Sequence, residues 1–148
     1  MKYSIWILFT VCSVVISSHA QANPDPIIGK WMSLDKNLMV EVYKQRNEYK
    51  ARVIWFDASD DITVSMSERR DKKNPDKTLR NQKILGMEVL HGLVYNAKEK
   101  EWQDGRIYDS SSGKDWSAKA WITKEGCLKV RGFWHFEFLG QNIYFKKI

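Results

Sequence analysis

Two histidines, one cysteine outside the N-terminal leader and a cluster of carboxylates are the groups in this chain from which chemistry could be built. Each lacks a partner that the chemistry needs. His91 and His135 are far apart in the sequence, and neither sits in a Ser, Cys or metal-ligand context. His91 alternates with Val89 and Leu93, so it reads as an edge or hydrogen-bonded histidine and not as a general base. Cys127 shares strand parity with Lys129 and Arg131. Flanking cations favour a thiolate, but they supply no base and no oxyanion site. Asp71, Asn74 and Asp76 have the composition of a calcium loop, yet the alternate-residue spacing, the central Gly and the terminal bidentate Glu are missing. There is no phosphate-cradling glycine loop, nucleophile elbow or zinc spacing. The sequence therefore predicts a non-enzyme with no catalytic residue, no metal and no cofactor.

Binding groups are easier to place. Asp57 to Lys83 is long, polar and without strand periodicity, and a structureless stretch longer than roughly 15 residues inside a compact domain tends to be functional or disordered. Its second half is the more specific, because Asn74-Pro75 favours a turn and Asp76 can cap a short helix through Leu79 and Arg80. Asp109-Ser110-Ser111-Ser112-Gly113 is a turn by composition, and the alternative is that Tyr108, Asp109 and Lys114 line a barrel mouth. Asn74, Asp76, Arg80, Tyr108, Asp109 and Lys114 are therefore the candidate ligand-binding rim. The two segments are expected to meet, with Arg80 paired to Asp76 or Asp109, either as a binding rim or as ties for the long loop. Asp104, Arg106 and Tyr108 share parity with Trp102, opposite Gly105 and Ile107. If that face points inward, a charged pair lies near a ligand; if outward, it is ordinary cross-strand decoration.

The elements that must carry these groups read as strands. Leu38, Val40 and Val42 alternate with Met39, Glu41 and Tyr43, while Tyr49, Ala51, Val53 and Trp55 oppose Lys50 and Arg52. Gln45 to Glu48 joins these two into a hairpin. Met87–Tyr95, Trp102–Asp109, Trp116–Ile122, Leu128–Gly132 and a last strand around Ile143–Phe145 continue the rhythm across short turns. Consecutive strands with short connections imply an antiparallel meander, and closure removes its exposed edges. The expected fold is all-β: an antiparallel up-and-down barrel of about eight strands.

Met1 to Ala22 has the layout of a secretory signal: Lys2, an apolar run from Ile5 to Ile16, then small residues. The run is too short for the roughly 20 apolar residues of a membrane span. Cleavage after Ala20 or after Ala22 leaves a single domain, residues 23–148, in the bacterial periplasm or secreted. The formal net charge is +6 with 24 basic and 18 acidic groups, but the charges are interleaved as on a solvated β surface, which argues against nucleic acid as a partner. Only Cys127 lies outside the signal, so no intrachain disulfide is available.

The strings GKW at 29–31, NPDKTLR at 74–80, LGMEVLHGL at 85–93, WQDGRIYDSSSGKDWSAK at 102–119 and LKVRGF at 128–133 resemble, in order and spacing, a family of small exported bacterial proteins known only as a domain of unknown function. The resemblance implies a calycin-like fold, related in architecture to lipocalins and avidins, and supplies no chemistry. Two departures stand out. Ser110 occupies a position where the family commonly has Pro, and Tyr43 and Lys50 lie where many members carry a cysteine pair. Trp31 resembles the opening Trp of lipocalin-like barrels, which plugs the closed end beneath a basic side chain from a late strand; Arg131 is the candidate here.

Two functions follow. One is a barrel that binds a small apolar ligand, since eight strands leave an interior that is either filled by side chains or able to hold one small molecule. The other is an envelope protein-protein interaction module with a filled barrel and the 57–83 loop as its working surface. The interior decides between them.

Overall fold

The computed structural model describes residues 25–148. The signal read at Met1–Ala22 lies outside the described residues. Eight strands, β1 (Gly29–Ser33), β2 (Leu38–Gln45), β3 (Glu48–Phe56), β4 (Glu88–Asn96), β5 (Glu101–Asp109), β6 (Lys114–Ile122), β7 (Leu128–Phe133) and β8 (Gln141–Lys147), pair in chain order. β8 closes onto β1 through Trp31 opposite Lys147 and Ser33 opposite Phe145. Every neighbour is antiparallel, giving an up-and-down barrel with no free edge.

Parity works on most strands because one face of each is buried. Val40, Val42, Ala51, Val53, Leu128, Val130 and Phe145 point in, and all are at most 6% exposed. It fails on β3, β5 and β4, where extra residues are inserted. On β3, Met39 opposes Trp55 but Val40 opposes Val53, so Phe56 and not Trp55 lines the interior. Asp104 takes φ +64° and the β5–β6 register shifts between Trp102 and Gly105. As a result Trp102, Gly105 and Ile107 all face inward, and the alternation that grouped Asp104 and Arg106 with Trp102 is broken by a bulge. Arg106 is exposed, so the charged pair is surface decoration. On β4, Gly92 at φ +73° puts both Leu90 and Leu93 into the core and leaves His91 outside.

The two ends of the barrel differ. Residues 25–28 cross one end, where Ile27 and Trp31 pack fully buried beside Tyr49, Leu93 and Trp102. Trp31 Nε1 donates to the Ile27 carbonyl at 2.8 Å, the Tyr49 hydroxyl donates to Asp25, and Tyr49 meets Trp102 edge-on at 6.0 Å. Gly105 sits in this layer because any Cβ there would lie 2.5 Å from Leu93 Cδ2. The cation over Trp31 is Lys147, its Nζ 5.3 Å from the ring. It is not Arg131, which lies on the outward parity of β7 and bonds to the Glu137 carbonyl and Asn142 Oδ1. Lys147 directly opposes Trp31 across the β1–β8 seam, a register visible only once the barrel closes. The 57–87 segment and the β1–β2, β5–β6 and β7–β8 connections gather at the opposite end.

Candidate functional site: an apolar cavity under a tied loop

Beyond the aromatic layer the inward residues become smaller. Val40, Val42, Ala51, Val53, Leu128 and Val130 fill less of the interior than the rings at the closed end, and a cavity of about 570 Å³ opens between them. Leu38, Phe56, Ile84, Val89, Ile107 and Ile143 extend its apolar wall towards the mouth, where Asp57, Asp60, Arg69, Arg70, Lys72, Lys73 and the Tyr108–Ser111 corner form a polar collar. Pockets that hold small organic molecules typically measure about 300–1,000 Å³ and have this apolar wall with few polar groups.

The long segment over one side of the mouth is folded. Asp71 is fully buried and accepts hydrogen bonds from Tyr108 Oη at 2.9 Å and Asn74 Nδ2 at 2.7 Å. Its backbone N–H is also satisfied, by the Gln82 carbonyl at 3.0 Å. Asn74 Oδ1 in turn accepts from the Asp76 N–H at 2.9 Å, and Asp76 caps the 3₁₀ turn Lys77–Leu79 by accepting from Thr78 N–H. That capping, by the Thr78 hydroxyl and amide together, holds the Asp76 carboxyl below its ordinary range. Burial first, then the Asp71 carboxylate, pushes the Tyr108 phenol well above the usual tyrosine range. Arg69 pins the first half of the segment by donating to Asp60 and to the Ala58 and Asp61 carbonyls.

The β5–β6 corner fits against this loop at backbone level. Lys73 Nζ donates to the Ser111 carbonyl at 2.6 Å. At Gly113, φ +70°, a Cβ would stand 2.1 Å from the Lys73 carbonyl oxygen, so only glycine permits the approach.

The two predicted segments therefore meet, but through different partners than expected. Arg80 is bonded to neither Asp76 nor Asp109: its Nε donates to the Asn74 carbonyl at 2.8 Å. Both carboxylates are already engaged, Asp76 by Thr78 and Asp109 by Ser111 and Ser112. Burial works to raise the Asp109 carboxyl, but the bonds from Ser112 and Ser111 together hold it low. Asn74 is buried and Lys114 is exposed at the strand start, across from Asp109. Of the six rim candidates, Tyr108 and Asp109 line the cavity; Asn74, Asp76 and Arg80 build the loop that frames it. Asp71 was the residue that sequence reasoning missed as the centre of this network. Its signal was weak, since an acidic residue in a polar stretch reads as solvated surface until Tyr108 is known to lie beside it. Among the described residues no group of three or more His, Cys, Asp or Glu side chains is placed to hold a metal, and no helix is long and apolar enough to cross a membrane.

A closed eight-stranded up-and-down barrel, plugged at one end and open at the other, is calycin-like. Residues 29–147 match a family described as "Uncharacterized protein conserved in bacteria (DUF2147)", and the chain belongs to that family. Among solved structures it is similar to protein HP1028 from Helicobacter pylori, described as belonging to the lipocalin family, at 20% identity over 82% of each chain with a TM-score of 0.67. At that identity the likeness speaks for the fold alone. No curated protein matches the sequence.

Proposed function

We infer that the barrel binds a small, predominantly apolar molecule, taken in through the open end and held against the Val, Leu and Ile wall. The observation that carries this reading is the 570 Å³ apolar cavity. A sheet that needed its core only for stability would fill that space, because unfilled volume forfeits dispersion contacts on every lining group. The filled barrel on which the interaction-module reading depended is absent. We further propose that the protein works after export, in the periplasm or outside the cell, with Met1–Ala22 removed as a signal.

The test is binding of a solvatochromic apolar dye, with native mass spectrometry of protein purified from its own host to identify what occupies the site. Saturable binding at one dye per chain is expected, lost in Val53→Phe and in Ile143→Trp, which fill the wall and narrow the mouth respectively. Dye binding unchanged in both variants, with melting unchanged, would place the binding elsewhere and refute the cavity as the site.

A further inference from the structure

Among the described residues, the large apolar side chains that are more than half exposed share one end of the barrel, with Ile148 the exception. Leu34, Ile62, Trp134, Phe136, Phe138 and Leu139 are each more than half exposed, and all lie in connections at the mouth end of the barrel. Four of them come from the β7–β8 connection alone. Single exposed hydrophobes are ordinary on a protein surface; a contiguous group at one end marks an interaction site.

That connection is held in place with its rings outward. Arg131 Nε donates to the Glu137 carbonyl at 2.8 Å, and Lys119 bridges Glu137 and Glu101 at 3.0 and 3.1 Å. His135 accepts a left-handed φ of +61°, and Trp134 leans edge-on against Trp116 at 6.4 Å. Gly140 brings the chain so close to β7 that a Cβ would lie 2.5 Å from the Gly132 carbonyl. Behind the rings, the outer faces of β6 and β7 carry Lys119, Lys129 and Arg131. Lys129 Nζ stands over both Trp121 and Tyr144, at 4.7 and 5.4 Å. A shallow recess between Trp121, Lys129, Arg131, His135, Phe136 and Phe138 joins the cationic face to the apolar tip. The carboxylates here are Glu137 and Glu101, which share Lys119, and Asp115 further along β6.

We propose that the mouth end of the barrel docks on an anionic phospholipid surface: Trp134, Phe136, Phe138 and Leu139 enter the headgroup region, and Lys129 and Arg131 face the lipid phosphates. A narrow aromatic tip backed by cations suits an interface with depth and negative charge, where Trp sits at headgroup level and basic groups add electrostatic attraction. A protein partner would need a broader complementary face, about 800 Å² per side. This goes beyond ligand binding in the cavity and does not depend on it.

The test is co-sedimentation of the signal-free chain with vesicles of phosphatidylglycerol mixed into phosphatidylcholine, against pure phosphatidylcholine. Binding to the anionic vesicles is expected, weakened by salt. Phe136→Ser with Phe138→Ser should lower the partition coefficient by roughly tenfold or more, since each ring withdraws apolar area from water. Lys129→Gln should lower it by roughly fivefold on the anionic vesicles alone. All three positions are at the surface, and thermal melting checks that the variants fold. Brominated lipid should quench the fluorescence difference between wild type and Trp134→Phe. Failure to sediment with either vesicle, or equal sedimentation of the Phe136→Ser/Phe138→Ser variant, would overturn the proposal. So would light scattering that shows a vesicle-free dimer dissociated by the same variant, which would give the tip to a second copy of the chain. Dye binding in the cavity is unaffected by any of these results, so the two readings fail separately.

Discussion

Tyr108→Phe isolates the contact that ties the long loop to the barrel. The substitution removes one hydroxyl and nothing of the ring, so the cavity wall keeps its shape while Asp71 loses the 2.9 Å bond and keeps the one from Asn74. A hydrogen bond to a charged group contributes about 1.5–3 kcal/mol, and a value of about 2 kcal/mol corresponds to a fall of about 8 °C in Tm for a domain of this size. Because Asp71 also anchors the loop through its N–H to Gln82, the loss should concentrate locally. Hydrogen exchange at the amides of Asp71, Asn74 and Ile84 should accelerate by about 30-fold, the factor that 2 kcal/mol represents. Amides of β2 and β3 should change only with global stability. Thermal melting and exchange read by mass spectrometry suffice. If Tyr108→Phe melts within about 0.5 kcal/mol of wild type and leaves loop exchange unchanged, the Asp71 network is decoration and something else holds the loop.

The remaining predictions follow from the same geometry. Trp31→Ala should cost about 3–5 kcal/mol, measured by chemical denaturation, since it empties the closed end beneath Lys147. Gly113→Ala should cost at least about 2 kcal/mol, because φ +70° is strained for alanine and its Cβ would collide with the Lys73 carbonyl; the fall should be accompanied by faster exchange in the loop. The raised phenol of Tyr108 sets an alkaline limit. Its contribution is complete below the ordinary tyrosine pKa of about 10 and is lost as pH rises from there towards the folded value, because the unfolded chain releases that proton first. Tm should therefore fall more steeply above about pH 10 in wild type than in Tyr108→Phe. Intact-mass measurement after expression in a bacterial host should show loss of residues up to Ala20 or Ala22; recovery of the full-length chain would count against export.

Alternation carried most of the fold because an antiparallel sheet with one wet face writes its parity into the residue order. Val40 and Val42 on β2, and Leu128 and Val130 on β7, face inward as their neighbours' polarity required. Parity misled where one inserted residue reversed it. Asp104 looks like any polar strand residue, and nothing in its type announces a left-handed φ. Cross-barrel relations were equally hidden, for a reason of distance along the chain. Lys147 reaches Trp31 only because strand eight closes on strand one, and local pattern is silent about which late cation arrives there. The loop partners of Arg80 were misjudged for a chemical reason: Asp76 and Asp109 each had hydroxyl and amide donors within three residues, which satisfy a carboxylate at less entropic cost than a distant guanidinium.

The hollow interior was the least legible feature, yet its logic lies in the order of inward side chains. Going from the closed end to the mouth, the layer of Trp31, Tyr49 and Trp102 gives way to Ala51 and Val53 on β3 and Ile107 on β5. A barrel of fixed circumference lined by small side chains must stay open at its centre. Such an opening weakens the core around it, so the stability has to come from the other end and from the rim. Both are built here: a buried ring layer in which Trp31 Nε1 and the Tyr49 hydroxyl are bonded to residues 25–27 while Trp102 Nε1 has no partner, and a loop locked by one buried carboxylate and one glycine contact. The arrangement separates stability from binding along the barrel axis. Substitutions in the wall above Val42 and Ala51 should therefore change what the cavity accepts at less cost to folding than equal volume changes in the Trp31 layer. A set of matched variants, Val130→Ala beside Leu93→Ala, tests this by denaturation. Comparable losses per methylene removed would mean that the two ends share one core and that the division is only apparent.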